Sequence, residues 1–188
     1  MYKPIMFDLT PKALKQPGVR EAFEKEQKEY LNSLVPAIVE RMSELPSYMT
    51  HEISFYTKLM EEARKCYEFG LFHAAVSMVG IAAERFAMEL SVNLVFKIND
   101  TKVTEQDLYN KKIDQHKRLN LLLVGGLITK DAYLLLDKVR DIRNKYVHPK
   151  EVGDAKKDAL EIIDKFNTVI YSRFSDKYTF KEGQLVLK

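Results

Sequence analysis

From Val19 onward, apolar residues recur at spacings of three and four along most of the chain, a rhythm that predicts helices. Val19, Ala22, Phe23, Tyr30 and Leu34 open the pattern. Pro36 then interrupts it. With Asn32 or Ser33 as a cap, Pro36 falls in the first turn of a second helix that ends near Leu45, before Pro46. Ile53, Tyr56, Leu59, Met60, Ala63 and Tyr67 place a further helix from about His51 to Phe69, with Thr50 as N-cap and Gly70 as stop. The next stretch, LFHAAVSMVGIAAERFAMELSVNLVF (71–96), is apolar on most sides, as a central helix surrounded by others must be. Its exceptions, His73, Ser77, Gly80 and Glu84, stand four, three and four apart and mark one narrow stripe. His73, beside Ser77, reads as a hydrogen-bonded interior histidine.

Downstream, Asp100 to Val103 reads as a turn, and Thr104 with Asp107 as a cap and acidic first turn. A weaker helix over 105–124 ends at Gly125-Gly126. Thr129 caps a helix over 130–148 whose core face is Ala132, Leu135, Leu136, Val139, Ile142 and Tyr146. A last helix runs from about Asp154 to Phe174. The tail YTFKEGQLVL (178–187) has a Lys-Glu-Gly turn signal, so a small hairpin or an extended arm is expected. The fold class is therefore all-α: an up-and-down bundle of six or seven helices. Its parts are an irregular arm over 1–18, bearing Pro4, Pro11 and Pro17, N-terminal helices over 19–50, the bundle over 51–176 and the tail over 177–188.

Composition narrows the class without choosing a chemistry. With 188 residues, 46% hydrophobic and 30% charged, the chain reads as one globular domain. No run approaches the roughly 18 apolar residues of a membrane span. The N-terminal segment lacks the features of a secretory leader, and the single cysteine, Cys66, excludes an internal disulfide. Both point to the cytoplasm, with no membrane partner. Cys66 lies within a helical pattern and reads as a packing residue. A net charge of +3 permits contact with nucleic acid without demanding it. Basic residues concentrate in KKIDQHKR (111–118) and KVRDIRNKYVHPKEVGDAKK (138–157).

The second of these segments holds the candidate chemistry. With about 100° per residue and Val139 at the centre of the buried face, Arg143 falls about 40° away, at the edge of the core. Asn144 falls about 140° away and His148 nearly opposite. Arg140, Asn144 and His148 thus rise along one exposed face, and Pro149 ends the helix. Negative partial charge at a helix C-terminus favours the imidazolium of His148, a group able to accept and donate protons. Arg143 cannot lose its charge and needs an anion. Glu84, inside an apolar helix, needs a cation. An Arg143–Glu84 or Arg140–Glu84 pair is accordingly expected to join the two helices. On spacing alone, a histidine C-cap beside a salt-bridging arginine is the simpler explanation of the same residues.

Other chemistries find less support. His51, His73, His116 and His148 are dispersed, with no pair at metal-ligand spacing, so neither metal nor cofactor is expected. Gly125-Gly126 lacks the Gly-Lys-Ser/Thr ending of a phosphate loop.

The pairing of ARKCYEFGLFHAAVSMVGIAAERFAMEL with a later GGLITKDAYLLLDKVRDIRNKYVHP resembles the HEPN superfamily of small helical domains, over about residues 52–174. Within it the chain is most similar to the branch associated with bacterial restriction and defence genes. The family signature is an Arg, commonly followed by a polar residue, with a His a few positions on: here Arg143, Asn144 and His148. Glu84 matches an acidic position near the site in many members.

The resemblance implies a metal-independent endoribonuclease in which two protomers share one cleft, with tRNA among the candidate substrates and phage or stress defence as the setting. It implies His148 as acid or base toward the ribose 2′-hydroxyl, Arg143 on the charged phosphorus oxygens and Asn144 orienting one or the other. Glu84 and Arg140 would support them, and Lys138, Lys145 and Lys150 would hold phosphates. It leaves open a regulatory protein partner. It also leaves open a non-catalytic module that binds nucleotide, RNA or a partner, and a helical dimerisation scaffold. In the members paired with a nucleotidyltransferase antitoxin, a tyrosine stands two residues after the histidine. Lys150 occupies that position here, a departure from the subtype.

Overall fold

The computed structural model describes residues 12, 15–48, 54–92, 97–98, 101–102, 113–147, 153–181 and 184–187. The chain divides into two compact units, Met1–Glu40 and Arg41–Lys188. Among the described residues the architecture is all-α, with two short hairpins, and no helix is long and apolar enough to cross a membrane.

The first helix, α1 (Pro17–Glu44), is continuous, with Pro36 inside it. The break expected at Pro36 does not occur. A proline there removes one backbone donor, leaving the carbonyl of Asn32 without its helical partner. Pro36 lies on an exposed face, where water can satisfy that carbonyl, so the helix persists. Ahead of it, the Ser33 hydroxyl donates to the carbonyl of Tyr30 at 2.6 Å.

In the second unit, α2 (Phe55–Glu68) begins at Ser54 rather than Thr50. Ser54 and Thr57 form a reciprocal capping box: the Thr57 N–H donates to Ser54 Oγ at 3.2 Å, and the Ser54 N–H to Thr57 Oγ1 at 3.0 Å. Thr50 itself lies outside the described residues. The helix ends where expected. Gly70 adopts φ +77°, and the amides of Gly70 and Leu71 fold back on the carbonyls of Tyr67 and Cys66. Arg41 adds a donor, with its Nε 2.6 Å from the carbonyl of Glu68 at the negative end of α2.

Next, α3 (Phe72–Ser91) is the central helix. It packs against α2, α4 (Gln115–Val124), α5 (Lys130–Val147) and α6 (Ala155–Lys177). Ala75, Val76, Val79, Ala82, Ala83, Phe86 and Ala87 are all buried, as its nearly all-round apolar pattern requires. Phe86 meets Tyr56 and Phe166 edge to face, with ring centroids 5.1 and 5.8 Å apart.

A small hairpin follows, pairing β1 (Lys97–Ile98) with β2 (Thr101–Lys102), where the sequence predicts only a turn. The cap expected at Thr104 and Asp107 lies outside the described residues. Within them, α4 starts at Asp114, whose carboxylate accepts the Lys117 N–H at 2.8 Å. Gly126, at φ +68°, ends α4 with the same backward-folded amides as Gly70. Thr129 Oγ1 accepts the Ala132 N–H at 3.1 Å and opens α5. Of the expected core face of α5, Ala132, Leu136, Val139 and Ile142 are buried, and Leu135 and Tyr146 are partly buried against the core. Asp154 caps α6, accepting the N–H groups of Lys156 and Lys157 at 3.1 Å each. The tail is a hairpin, β3 (Tyr178–Lys181) against β4 (Gln184–Leu187).

Candidate functional site

The site is built where α5 crosses the polar stripe of α3. Gly80 belongs to that stripe and lies directly beneath Arg143. A β carbon at residue 80 would overlap the Arg143 Cγ and come within 3.0 Å of its Cβ and 3.2 Å of its Nε. The missing methyl is thus the channel along which the Arg143 side chain runs over α3, and its Nη2 pairs with Glu84 Oε1, one turn further on. Its Nη1 donates to Asn144 Oδ1 at 3.0 Å. The side chains of Arg143 and Glu84 keep only 22% and 34% of their exposure. The pair is therefore partly sheltered, and its attraction is less screened than that of a surface pair.

Of the two pairings expected for Glu84, Arg143 makes it. Arg140 instead bonds Asp137 Oδ1 and Asp141 Oδ1, each at 2.8 Å. Asp137 also meets His116 Nδ1 at 3.4 Å, linking α4 to α5. The sequence carries only one local trace of that link, the i, i+3 spacing of Asp137 and Arg140. Nothing in it points to His116, 21 residues before Asp137. Asn144, Lys138 and Lys145 are exposed. His148 and Lys150 lie outside the described residues.

His73 departs from expectation. It is exposed, not interior, because it lies in the first turn of α3, before that helix enters the core. The Ser77 hydroxyl donates to the His73 backbone carbonyl at 3.0 Å, not to its ring. The ring meets Tyr146 edge-on, with centroids 5.2 Å apart. Tyr146 in turn donates its hydroxyl to Asp158 Oδ2 at 2.8 Å, fastening the last turn of α5 to the first turn of α6. Burial, and then the Asp158 carboxylate, push the Tyr146 phenol up to about 12. Nearby, Glu44 accepts both the Tyr67 hydroxyl at 2.5 Å and Lys156 Nζ at 2.7 Å. Those two bonds hold its carboxyl below the usual range, Lys156 contributing most.

Cys66 is partly buried against the core, as a packing residue would be, and burial raises its thiol. Among the described residues no group of three His, Cys, Asp or Glu side chains is placed to hold a metal ion.

These features define an all-α bundle protein with a guanidinium, a carboxylate and a carboxamide joined across two core helices. The chain belongs to the family described as a domain of unknown function, DUF4145, whose model matches residues 61–186 and so takes in all of α3 to α6. No curated protein and no solved structure matches it.

Proposed function

We propose that the protein is a metal-independent endoribonuclease of the HEPN type, acting as a homodimer. The observation that carries this reading is the fixed position of Arg143. It lies over Gly80, held by Glu84 and Asn144, near the end of α5 and five residues before His148 in the sequence. A guanidinium whose geometry is set in advance stabilises developing phosphoryl charge without reorganising during the reaction.

His148 of one protomer takes the proton of a ribose 2′-hydroxyl, and the oxygen attacks the adjacent phosphorus. Arg143 balances the charge on the non-bridging oxygens while Asn144 keeps the guanidinium in plane. The bond to the 5′-oxygen breaks, and the partner protomer's imidazolium returns a proton to it. The products are a 2′,3′-cyclic phosphate and a 5′-hydroxyl. DNA lacks the nucleophile and is inert. Lys138, Lys145 and Lys150 supply phosphate contacts, and tRNA and single-stranded RNA are the first substrates to try.

The test is incubation of the purified chain with tRNA or single-stranded RNA in excess chelator. Cleavage is expected to leave cyclic phosphate ends, with a loss of about 100-fold or more in His148→Ala. Absence of cleavage by the wild type, or equal cleavage by His148→Ala, overturns the reading.

One observation favours a second reading. Arg143 already has a carboxylate partner in Glu84, as a structural strut would. In a non-catalytic module or dimerisation scaffold, Arg143→Ala lowers the melting temperature and leaves RNA untouched whether or not residue 143 is changed.

A further inference from the structure

Beyond Glu84, the face of α3 opens into a groove of about 580 Å³, within the range of roughly 300–1,000 Å³ typical of ligand sites. The groove shares Glu84 and Gln115 with the crevice beneath Arg143. At its far end it shares Arg85 and Met88 with a second hollow beside Phe55. Together these form one trough along α3 that leads to Arg143.

Its chemistry is selective. Phe55, the first residue of α2, is 57% exposed although it is a large aromatic side chain. The Arg85 guanidinium lies over that ring, 5.4 Å from its centroid. Among the described residues Arg85 has no carboxylate partner. Of the acidic groups along the trough, Glu84 is engaged by Arg143 and Asp114 by the Lys117 amide at 2.8 Å and Lys117 Nζ at 3.4 Å, and Glu89 stands at the far end beside Phe55. Ile81, 40% exposed, gives the wall an apolar step between the two arginines, and Met88 extends the apolar wall beyond Arg85. A cation laid on an aromatic face, an apolar step and a second cation in line form a surface for a chain that alternates flat rings with phosphates. Such a platform takes only bases already out of a duplex stack.

We propose that this trough binds an unpaired segment of RNA, one base stacking on the Phe55–Arg85 platform and the strand running past Ile81 toward Arg143. The nature of the strand rests on the ribonuclease reading, but its binding is measurable without turnover.

The experiment is fluorescence anisotropy of the full chain with a labelled oligouridylate, with the same length of RNA duplex and with uridine monophosphate. Phe55→Leu is expected to weaken single-strand binding about 5- to 150-fold, the range for loss of one base–aromatic stack. Arg85→Gln weakens it and flattens its salt dependence. Ile81→Glu, which puts a charge on the apolar step, is the second route should Phe55→Leu melt early.

Unchanged binding in all three variants overturns the proposal. So does a duplex that binds as tightly as the single strand, or a mononucleotide that binds as tightly as the oligomer. Binding that depends on Phe55 without any cleavage supports the trough and removes the nuclease. Cleavage with binding indifferent to Phe55, Arg85 and Ile81 removes the trough alone.

Discussion

Gly80 and Arg143 occupy one space: the methyl that any other residue would carry at position 80 is replaced by the Cγ and Cβ of the arginine. The parts of Arg143 that would be displaced are the near end of the side chain, which cannot swing aside without moving the guanidinium off Glu84. Gly80→Ala should gain about 1 kcal/mol in helix propensity and still be destabilising overall, by about 1–3 kcal/mol, because of overpacking. In an Arg143→Ala background the Cγ overlap is gone while the Cβ contact at 3.0 Å remains, and Gly80→Ala should cost clearly less. Urea denaturation of the four chains of this double-mutant cycle checks the coupling between the two positions.

The carboxyl of Glu44 titrates below its ordinary value of 4.5 because Lys156 and Tyr67 hold its ionised form. The folded state therefore releases that proton more readily than the unfolded one. Its contribution to stability is complete above about pH 4.5 and is lost as the pH falls through the lower folded value. The urea midpoints of wild type and Glu44→Gln should converge as the pH is lowered from neutrality.

At the alkaline end the sign reverses. The Tyr146 phenol rises from 10.0 to about 12 in the folded chain, so its contribution is complete below pH 10 and disappears as the pH approaches 12. Tyr146→Phe should remove that dependence, along with one late-titrating step in the ultraviolet phenolate titration.

Gly126 ends α4 at φ +68°, with open space where a side chain would go. Gly126→Ala should cost about 1–2 kcal/mol from backbone conformation alone. Gly126→Asn should cost less, since asparagine tolerates the left-handed region. Thermal melting of the two variants separates this conformational effect from packing.

If RNA is bound, Lys138 and Lys145 act as simple charges. Replacing either lysine by alanine should lower the slope of log affinity against log salt by about 0.7 for each single-strand phosphate that the lysine neutralises. The position of cleavage should not change.

How much of this is legible in the sequence follows the range of the forces involved. Gly70, Gly126, Thr129 and Asp154 mark helix ends through bonds to residues two to five positions away, so each can be read from its neighbours. The stripe His73, Ser77, Gly80, Glu84 is visible for the same reason, and charge balance alone limits Glu84 to Arg140 or Arg143. Choosing between them requires the helix crossing, which periodicity does not contain. His116 gives no signal because its partner Asp137 is 21 residues away on another helix. The apolar run around His73 suggests an interior position, whereas its helix enters the core a turn later. Pro36 suggests a break because the sequence does not show which carbonyls face water.

The notch at residue 80 also constrains how this family can diverge. A side chain at that position is tolerable only if residue 143 is shortened, and without a long cation at 143 a carboxylate at 84 would be left without its counter-charge. Positions 80, 84 and 143 should therefore substitute as a set in related chains, and a lineage that departs at one of them should depart at all three.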